Sequence, residues 1–308
     1  MEKFKSFLKR KDIEISAKRY GIDALGAMAQ GLFASLLIGT IIATLGEQLG
    51  MEVLVNIGGY AKAATGPAMA VAIGYALHCP PLVLFSLVAV GGAANTLGGA
   101  GGPLAVLLVT IVAAEFGKAV SKETKIDIIV TPFVTITIGS LLSMWCAPAI
   151  GAAASAVGAA IMWATELQPF FMGIIISVIV GIALTLPISS AAICAALSLT
   201  GLAGGAAVAG CCANMVGFAV LSFKENKWGG LFAQGIGTSM LQIPNIMKRP
   251  LIWLPPTLAS AILGPIAIIG PFHMTNNATG SGMGTSGLVG QIMTYQTMVA
   301  TESPVLVI

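Results

Sequence analysis

Charge is what this sequence has least of. Its 308 residues include only 15 Lys and Arg and 12 Asp and Glu, 9% of the chain, where an ordinary soluble domain carries about a quarter. Eleven of these charges fall within the first 23 residues, so the remainder has too few to cover a water-facing surface. That excludes a conventional soluble enzyme. Cysteine is scarce and odd in number: Cys79, Cys146, Cys194, Cys211 and Cys212 all sit in or beside apolar runs, without the spacing of a zinc site. They read as small buried side chains. There is no Walker loop, no Ser/His/Asp set, no metal-ligand cluster and no soluble region to hold a nucleotide, so no catalytic residue, metal or cofactor is expected. With no second basic cluster and no aromatic platform, nucleic acid is not expected as a partner.

What is abundant is apolar residues, 56% of the chain, and lipid is the solvent that tolerates them. The net charge of +3 comes from the N-terminus, where Lys3, Lys5, Lys9, Arg10, Lys11, Lys18 and Arg19 outweigh Glu2, Asp12, Glu14 and Asp23. This stretch reads as an anchor on the cytoplasmic face of the membrane. It does not read as a cleaved signal peptide, because its n-region would be too long and the apolar run after it is long enough to span.

Ala24 to Gly46 is uncharged and gives a first span at about 1.5 Å per residue. Val53 to Leu77 gives a second, with Lys62 near enough to its start to snorkel. His78-Cys79-Pro80-Pro81 makes a turn and reads as interfacial. Leu82 to Leu97 is a third run, Gly98 to Gly102 breaks it, and Pro103 to Ala119 is a fourth that ends near Lys118, Lys122 and Lys125. Four crossings from a cytoplasmic N-terminus return that basic loop to the cytoplasm. Ile128 to Thr165 is uncharged and interrupted by Pro148, which predicts one span and a second helix. Leu167 to Phe223 is uncharged, with expected breaks at Leu186 to Ser190 and at Gly204-Gly205. Between Lys224-Glu225-Asn226-Lys227 and Lys248-Arg249 the chain should dip in rather than cross. Leu251 to Gly270 is a span, and the apolar run at Ser303 to Ile308 is expected to belong to a last helix that these residues do not complete. The expected organisation is a basic cytoplasmic segment, residues 1–21, followed by one membrane transport domain, residues 22–308, of roughly eight to ten embedded helical elements.

Irregular polar backbone at membrane depth survives only where protein or a water-filled cavity surrounds it. One such element is repeated: Gly235-Ile236-Gly237-Thr238-Ser239-Met240-Leu241 recurs as Gly282-Met283-Gly284-Thr285-Ser286-Gly287-Leu288, with Gln242 after the first copy and Gln291 after the second. Gly-Thr-Ser before an apolar run can cap a helix and aim N–H groups and hydroxyls at a polar ligand. Discontinuous helices of this kind build transporter sites. Thr238, Ser239, Gln242, Thr285, Ser286 and Gln291 are therefore candidate solute contacts, with Asn95, Asn276, Asn277 and His273 nearby. Asn214, deep in an apolar run, either bonds a neighbouring helix or lines the path. Gly91-Gly92 and Gly204-Gly205 read as close helix packing. Glu115 is a candidate coupling carboxylate, although Lys118 three residues on makes a helix-end ion pair the simpler account. Neutral hydrogen-bonding groups suit an uncharged polyol better than an ion.

Several strings carry a resemblance: YGIDALGAMAQGLFASLLIGTI from Tyr20 to Ile41, LPISSAAICAALSLTG from Leu186 to Gly201, GCCANMVGFAVLSFKEN from Gly210 to Asn226, AQGIGTSMLQIPNI from Ala233 to Ile246, WLPPTLASAILGP from Trp253 to Pro265, and GMGTSGLVGQI from Gly282 to Ile292. They resemble the membrane subunit IIC of the phosphotransferase system, EIIC type 2, a family that includes regulators of the PfoR type. The resemblance implies an all-α integral membrane protein, a polytopic helical transporter with re-entrant and broken helices that works by an elevator-type shift. It implies a homodimer in the bacterial cytoplasmic membrane that moves a small polar solute, a sugar, with phosphate supplied by separate IIA and IIB partners. The Gly-Ile-Thr-Glu-Pro motif of glucose-type subunits is absent, Thr301-Glu302-Ser303-Pro304 being a faint echo of it. Two other readings stand beside this one: an ion-coupled or facilitative transporter free of phosphorylation, and a membrane sensor with its basic N-terminus as a docking surface.

Overall fold

The structure, a computed structural model, describes residues 2–269 and 271–300. The Thr301 to Pro304 echo and the apolar run from Ser303, with the incomplete helix inferred from it, lie outside the described residues. Among the described residues the chain is helical throughout, with no strand beyond an isolated antiparallel bridge between Gly201 and Asn276. Five helical stretches are long and apolar enough to cross a membrane, which makes this an all-α polytopic membrane protein. The chain divides into two compact units, Met1–Leu36 with Tyr60–Ala152, and Leu37–Gly59 with Ala153–Ile308.

The first unit opens with α1 (Glu2–Arg10), then a π-helical turn Arg19–Asp23 that leads into α2 (Ala24–Leu32). A second π-helical turn, Phe33–Leu37, continues α2 into α3 (Ile38–Leu49), which is assigned to the second unit, so the expected first span is helical from Arg19 to Leu49. The expected second run is two helices separated at Ala64: α4 (Glu52–Ala63), assigned to the second unit as far as Gly59, and α5 (Thr65–Ala76), in the first. Helices α6 (Pro81–Gly98) and α7 (Gly102–Val120) form an antiparallel hairpin: Gly98 lies against Ala105, and Gly117 against Val83. At about 1.5 Å per residue, 18 and 19 residues each reach roughly the 30 Å of a hydrocarbon core. The turn is possible because Gly99 takes φ +49, where a side chain would be strained. Helices α5 and α6 touch backbone to backbone at Gly66 and Gly91, so the small-residue string 91–92 is a packing device.

Helix α8 (Asp127–Thr165) departs from expectation. It is continuous for 39 residues with both Pro132 and Pro148 inside it. Proline removes one hydrogen bond and crowds the preceding turn, yet a helix in an apolar setting has no water to take over a freed carbonyl, and small neighbours let it close around the ring. Pro148 is followed by the small-residue run Gly151-Ala152-Ala153-Ala154-Ser155. Large apolar side chains on α8 point outward, Trp145 being 81% exposed, as suits a lipid-facing helix.

The second unit is built on α9 (Pro169–Thr185), α11 (Gly201–Leu221) and α14 (Leu254–Ile268), with the short α10 (Ser190–Ala196) between the first two. Glycine, alanine and cysteine dominate the buried positions of α11, so that Gly210 lies against the Ser177 backbone of α9. The break at Leu186 to Ser189 falls where the sequence places it. The next break does not: Gly204-Gly205 lies inside α11 and packs on Met274 and Asn276, and the chain interrupts at Leu197 to Thr200 instead. Ser198 there takes φ +49, and Gly201 at the helix start takes φ +65. After α12 (Phe223–Phe232) come a π-helical turn Ala233–Gly237, a 3₁₀ turn Ser239–Gln242 and α13 (Ile243–Lys248), all too short to cross. A four-residue helix α15 (Ala278–Ser281) and α16 (Val289–Ala300) complete the described fold.

Candidate functional site

Both copies of the repeated motif belong to the second unit, and they meet. In the first copy, Thr238 caps the 3₁₀ turn, its Oγ1 accepting from the Met240 N–H at 3.2 Å. Ser239 shares a hydrogen bond of 2.8 Å with the Thr185 hydroxyl at the end of α9. In the second copy, Gly284 and Gly287 both hold φ +54, and a Cβ on Gly284 would collide with Cys211 of α11. Thr285 does not cap with its side chain. Its hydroxyl and that of Ser286 lie 3.3 and 3.6 Å from the Met215 Sδ, and Ser286 also donates to the Gly237 carbonyl at 2.9 Å. The two copies are thus joined by one hydrogen bond from a side chain to a backbone carbonyl, while the Met215 thioether packs on the second copy.

The amide after the first copy starts a relay. Asn245 Nδ2 donates to Gln242 Oε1 at 2.9 Å, Gln242 Nε2 donates to Gln234 Oε1 at 2.8 Å, and Gln234 Nε2 donates to the Ser222 hydroxyl at 2.7 Å. Gln242, Asn245 and Ser222 line an open cleft of about 620 Å³, whose other walls include Glu225, Lys248 and Arg249. The amide after the second copy is left incomplete. Gln291 Nε2 reaches the Cys212 Sγ at 3.5 Å, while its Oε1 is shut away from solvent with no partner among the described residues.

The other predicted residues are spread. Asn276 is fully buried and structural, donating to the Gly290 carbonyl at 3.3 Å and the Thr294 hydroxyl at 3.0 Å. Asn277 caps α15 by accepting from the Gly280 N–H at 2.9 Å. His273 is exposed, on a turn with φ +36. Asn214 faces α14: it donates to Ser260 Oγ at 2.8 Å, and its Oδ1 has no partner among the described residues. Asn95 belongs to the first unit, packed against Gly66 and Gly102. Thr185, Met215 and Ser222 complete the site and are invisible as motifs, since a single Thr, Met or Ser in an apolar run carries no pattern. The helices that frame the motif, α9, α11 and α14, contain no Asp, Glu, Lys or Arg.

The ionisable side chains gather in the first unit. Arg19 grips Asp12 with two donors, at 3.0 and 2.6 Å, and also reaches the Leu77 carbonyl and His78 Nδ1, each at 3.2 Å. The Arg19 hydrogen bond holds the Asp12 carboxyl down at about 2, and a second bond from His78 acts in the same direction. Glu115 pairs with Lys118 at 2.9 Å and accepts from the Tyr20 hydroxyl at 3.0 Å. Lys118 itself is 1% exposed and spends its other donors on the carbonyls of Asp12 and Leu77. A paired, helix-end carboxylate is what the structure shows at this position. Among the described residues no group of three metal-ligating side chains converges.

A family model described as phosphotransferase system, EIIC, matches residues 22–308. Neither a curated protein nor a solved structure matches the chain.

Proposed function

The chain belongs to the phosphotransferase system EIIC family, and on that premise we propose that it carries a neutral, polyhydroxylated solute, a sugar, across the bacterial cytoplasmic membrane. As an EIIC domain it is a permease subunit and not an enzyme, because separate IIA and IIB proteins perform the phosphoryl transfer. The observation that carries the sugar reading is the hydrogen bond between the two Gly-x-Gly-Thr-Ser copies together with an orphan amide oxygen, Gln291 Oε1, five residues after the second copy's serine. A buried acceptor without a donor costs roughly 1–3 kcal/mol, and a solute hydroxyl would relieve it. Thr238, Ser239, Gln242, Thr285 and Ser286 add hydroxyls and amides, and no charge stands among them. Gln242 and Asn245 at the cleft offer the entrance.

In this reading the second unit is the moving transport domain and the first the scaffold, in an elevator-type cycle within a homodimer. The division into two compact units supports that assignment. The N-terminus and the loop near Lys122 face the cytoplasm, where their basic residues are favoured.

The test is a thermal-shift screen of the detergent-purified protein against sugars, sugar alcohols and vitamins at varied sodium and proton concentrations. A sugar hit independent of ions supports the proposal, and the Thr285→Ala/Ser286→Ala variant should then lose the shift while still unfolding cooperatively. An ion-dependent hit on a non-sugar would replace it with the coupled-transporter reading, and binding without net flux in vesicles would replace it with the sensor reading.

A further inference from the structure

At the polar end of the first unit is a second cleft, of about 370 Å³. Four cations line it, Arg10, Lys11, Lys118 and Lys122, against two carboxylates, Asp12 and Glu123. Behind the lining Arg19 and Glu115 are of opposite sign, the exposed Glu14 lies 3.7 Å from Arg19, and Asp127 accepts from the Lys122 backbone N–H at 2.6 Å, so the excess of positive charge belongs to the lining itself. On the lining, positive side chains outnumber negative ones four to two. Glu123 is shared by two cations, Arg10 at 2.8 Å and Lys11 at 2.5 Å, and Lys122 makes no ion pair among the described residues. Lys118 supplies charge but no free donor, its ammonium being held by two carbonyls and Glu115. Contacts to an incoming anion would fall to Arg10, whose side chain is 62% exposed, and to Lys122.

The backbone around this cleft is bent to present these groups. Asp12, His78 and Lys122, all on its wall, hold φ of +52, +57 and +60, a conformation that non-glycine residues rarely adopt. The cleft lies where α6 begins at Pro81 and α7 ends at Val120, the level at which an apolar hairpin leaves the hydrocarbon. One turn inside each helix, Phe85 and Phe116 are exposed. An occupant with an anionic head and apolar tails matches a cleft lined mostly by cations at the ends of helices whose exposed aromatics stand one turn further in.

We propose that this cleft holds the headgroup phosphate of an anionic phospholipid, with Arg10 and Lys122 as its contacts and Phe85 and Phe116 against its acyl chains. The site is independent of the solute site and of what that site carries. Native mass spectrometry of the full chain, titrated with phosphatidylglycerol or phosphatidylcholine, reads retention of lipid directly. Phosphatidylglycerol should be retained preferentially, and Arg10→Gln/Lys122→Gln should weaken that retention by about 30-fold, two surface cations' worth of attraction. Both residues are exposed, so the variant folds, which an unchanged melting temperature in phosphatidylcholine checks. Equal retention of the two lipids, or unchanged phosphatidylglycerol retention in the variant, overturns the proposal. Competition by millimolar inorganic phosphate that strips the lipid-dependent stabilisation without lipid release would reassign the cleft to a soluble phosphate and overturn it as well.

Discussion

The Ser286 hydroxyl donates to the Gly237 carbonyl at 2.9 Å, tying the second copy of the repeated motif to the first. Ser286 is buried, so Ser286→Ala leaves the carbonyl unpaired and should lower stability by about 1–3 kcal/mol. Thr96 is the control: it is exposed and bonds only to the Gly92 carbonyl of its own helix, so Thr96→Ala should stay within about 0.5 kcal/mol of the parent. Unfolding in detergent, followed by tryptophan fluorescence, compares them.

Two glycines make an opposed pair. At Gly91 a Cβ would strike the Gly66 backbone across the α5–α6 contact, and Gly91→Ala should cost about 1–3 kcal/mol by overpacking. At Gly59, within α4, nothing lies within 4 Å of the same atom, and Gly59→Ala should gain about 0.5–1 kcal/mol from helix propensity. The same order of melting temperatures for both variants would contradict the packing described.

Acid stability should depend on Asp12. Its carboxyl sits at about 2 when folded, chiefly through the Arg19 hydrogen bond, against about 3.9 in an unfolded chain. A depressed folded value means the contribution is complete above about pH 4 and is lost as pH falls through about 2. Melting curves from pH 5 to pH 2 should therefore slope less for Asp12→Asn than for the parent. The carboxylate is half exposed, which keeps the difference small.

Lys118 presents a sharper case. Lys118→Met strands Glu115 next to a hydroxyl alone and should cost about 3–5 kcal/mol, as breaking a buried pair does. Adding Glu115→Gln removes the stranded charge and should recover much of the loss, a coupling that a double-mutant cycle measures. Additive effects would mean the two residues do not depend on one another.

The sequence makes the membrane class, the hairpin break at Gly98 to Gly102 and the break before Ser190 legible, because each is written in absence of charge or in glycine and proline punctuation. Pro148 misleads, since the penalty for proline in a helix is a local one that the surroundings of α8 absorb. Gly204-Gly205 misleads in its role as a break for the opposite reason: it marks where another backbone approaches, at Met274, and only the fold supplies that partner. At the site, the repeat is visible as a pattern, and the hydrogen bond that joins its copies is not. The partners that complete it, Thr185, Met215 and Ser222, lie 12 to 70 positions from the residues they bond and have no spacing signal.

The neutrality of the motif and of the helices framing it also has an electrical side. Carrying one elementary charge through 100 mV is worth about 2.3 kcal/mol, and Thr238, Ser239, Gln242, Thr285, Ser286 and Gln291 carry none. Helices α9, α11 and α14 add none either. In the proposed cycle the motif, these three helices and an uncharged solute move no charge through the membrane voltage, so the voltage-linked work of the step falls to charged residues elsewhere in the unit, such as Glu225, Lys248 and Arg249.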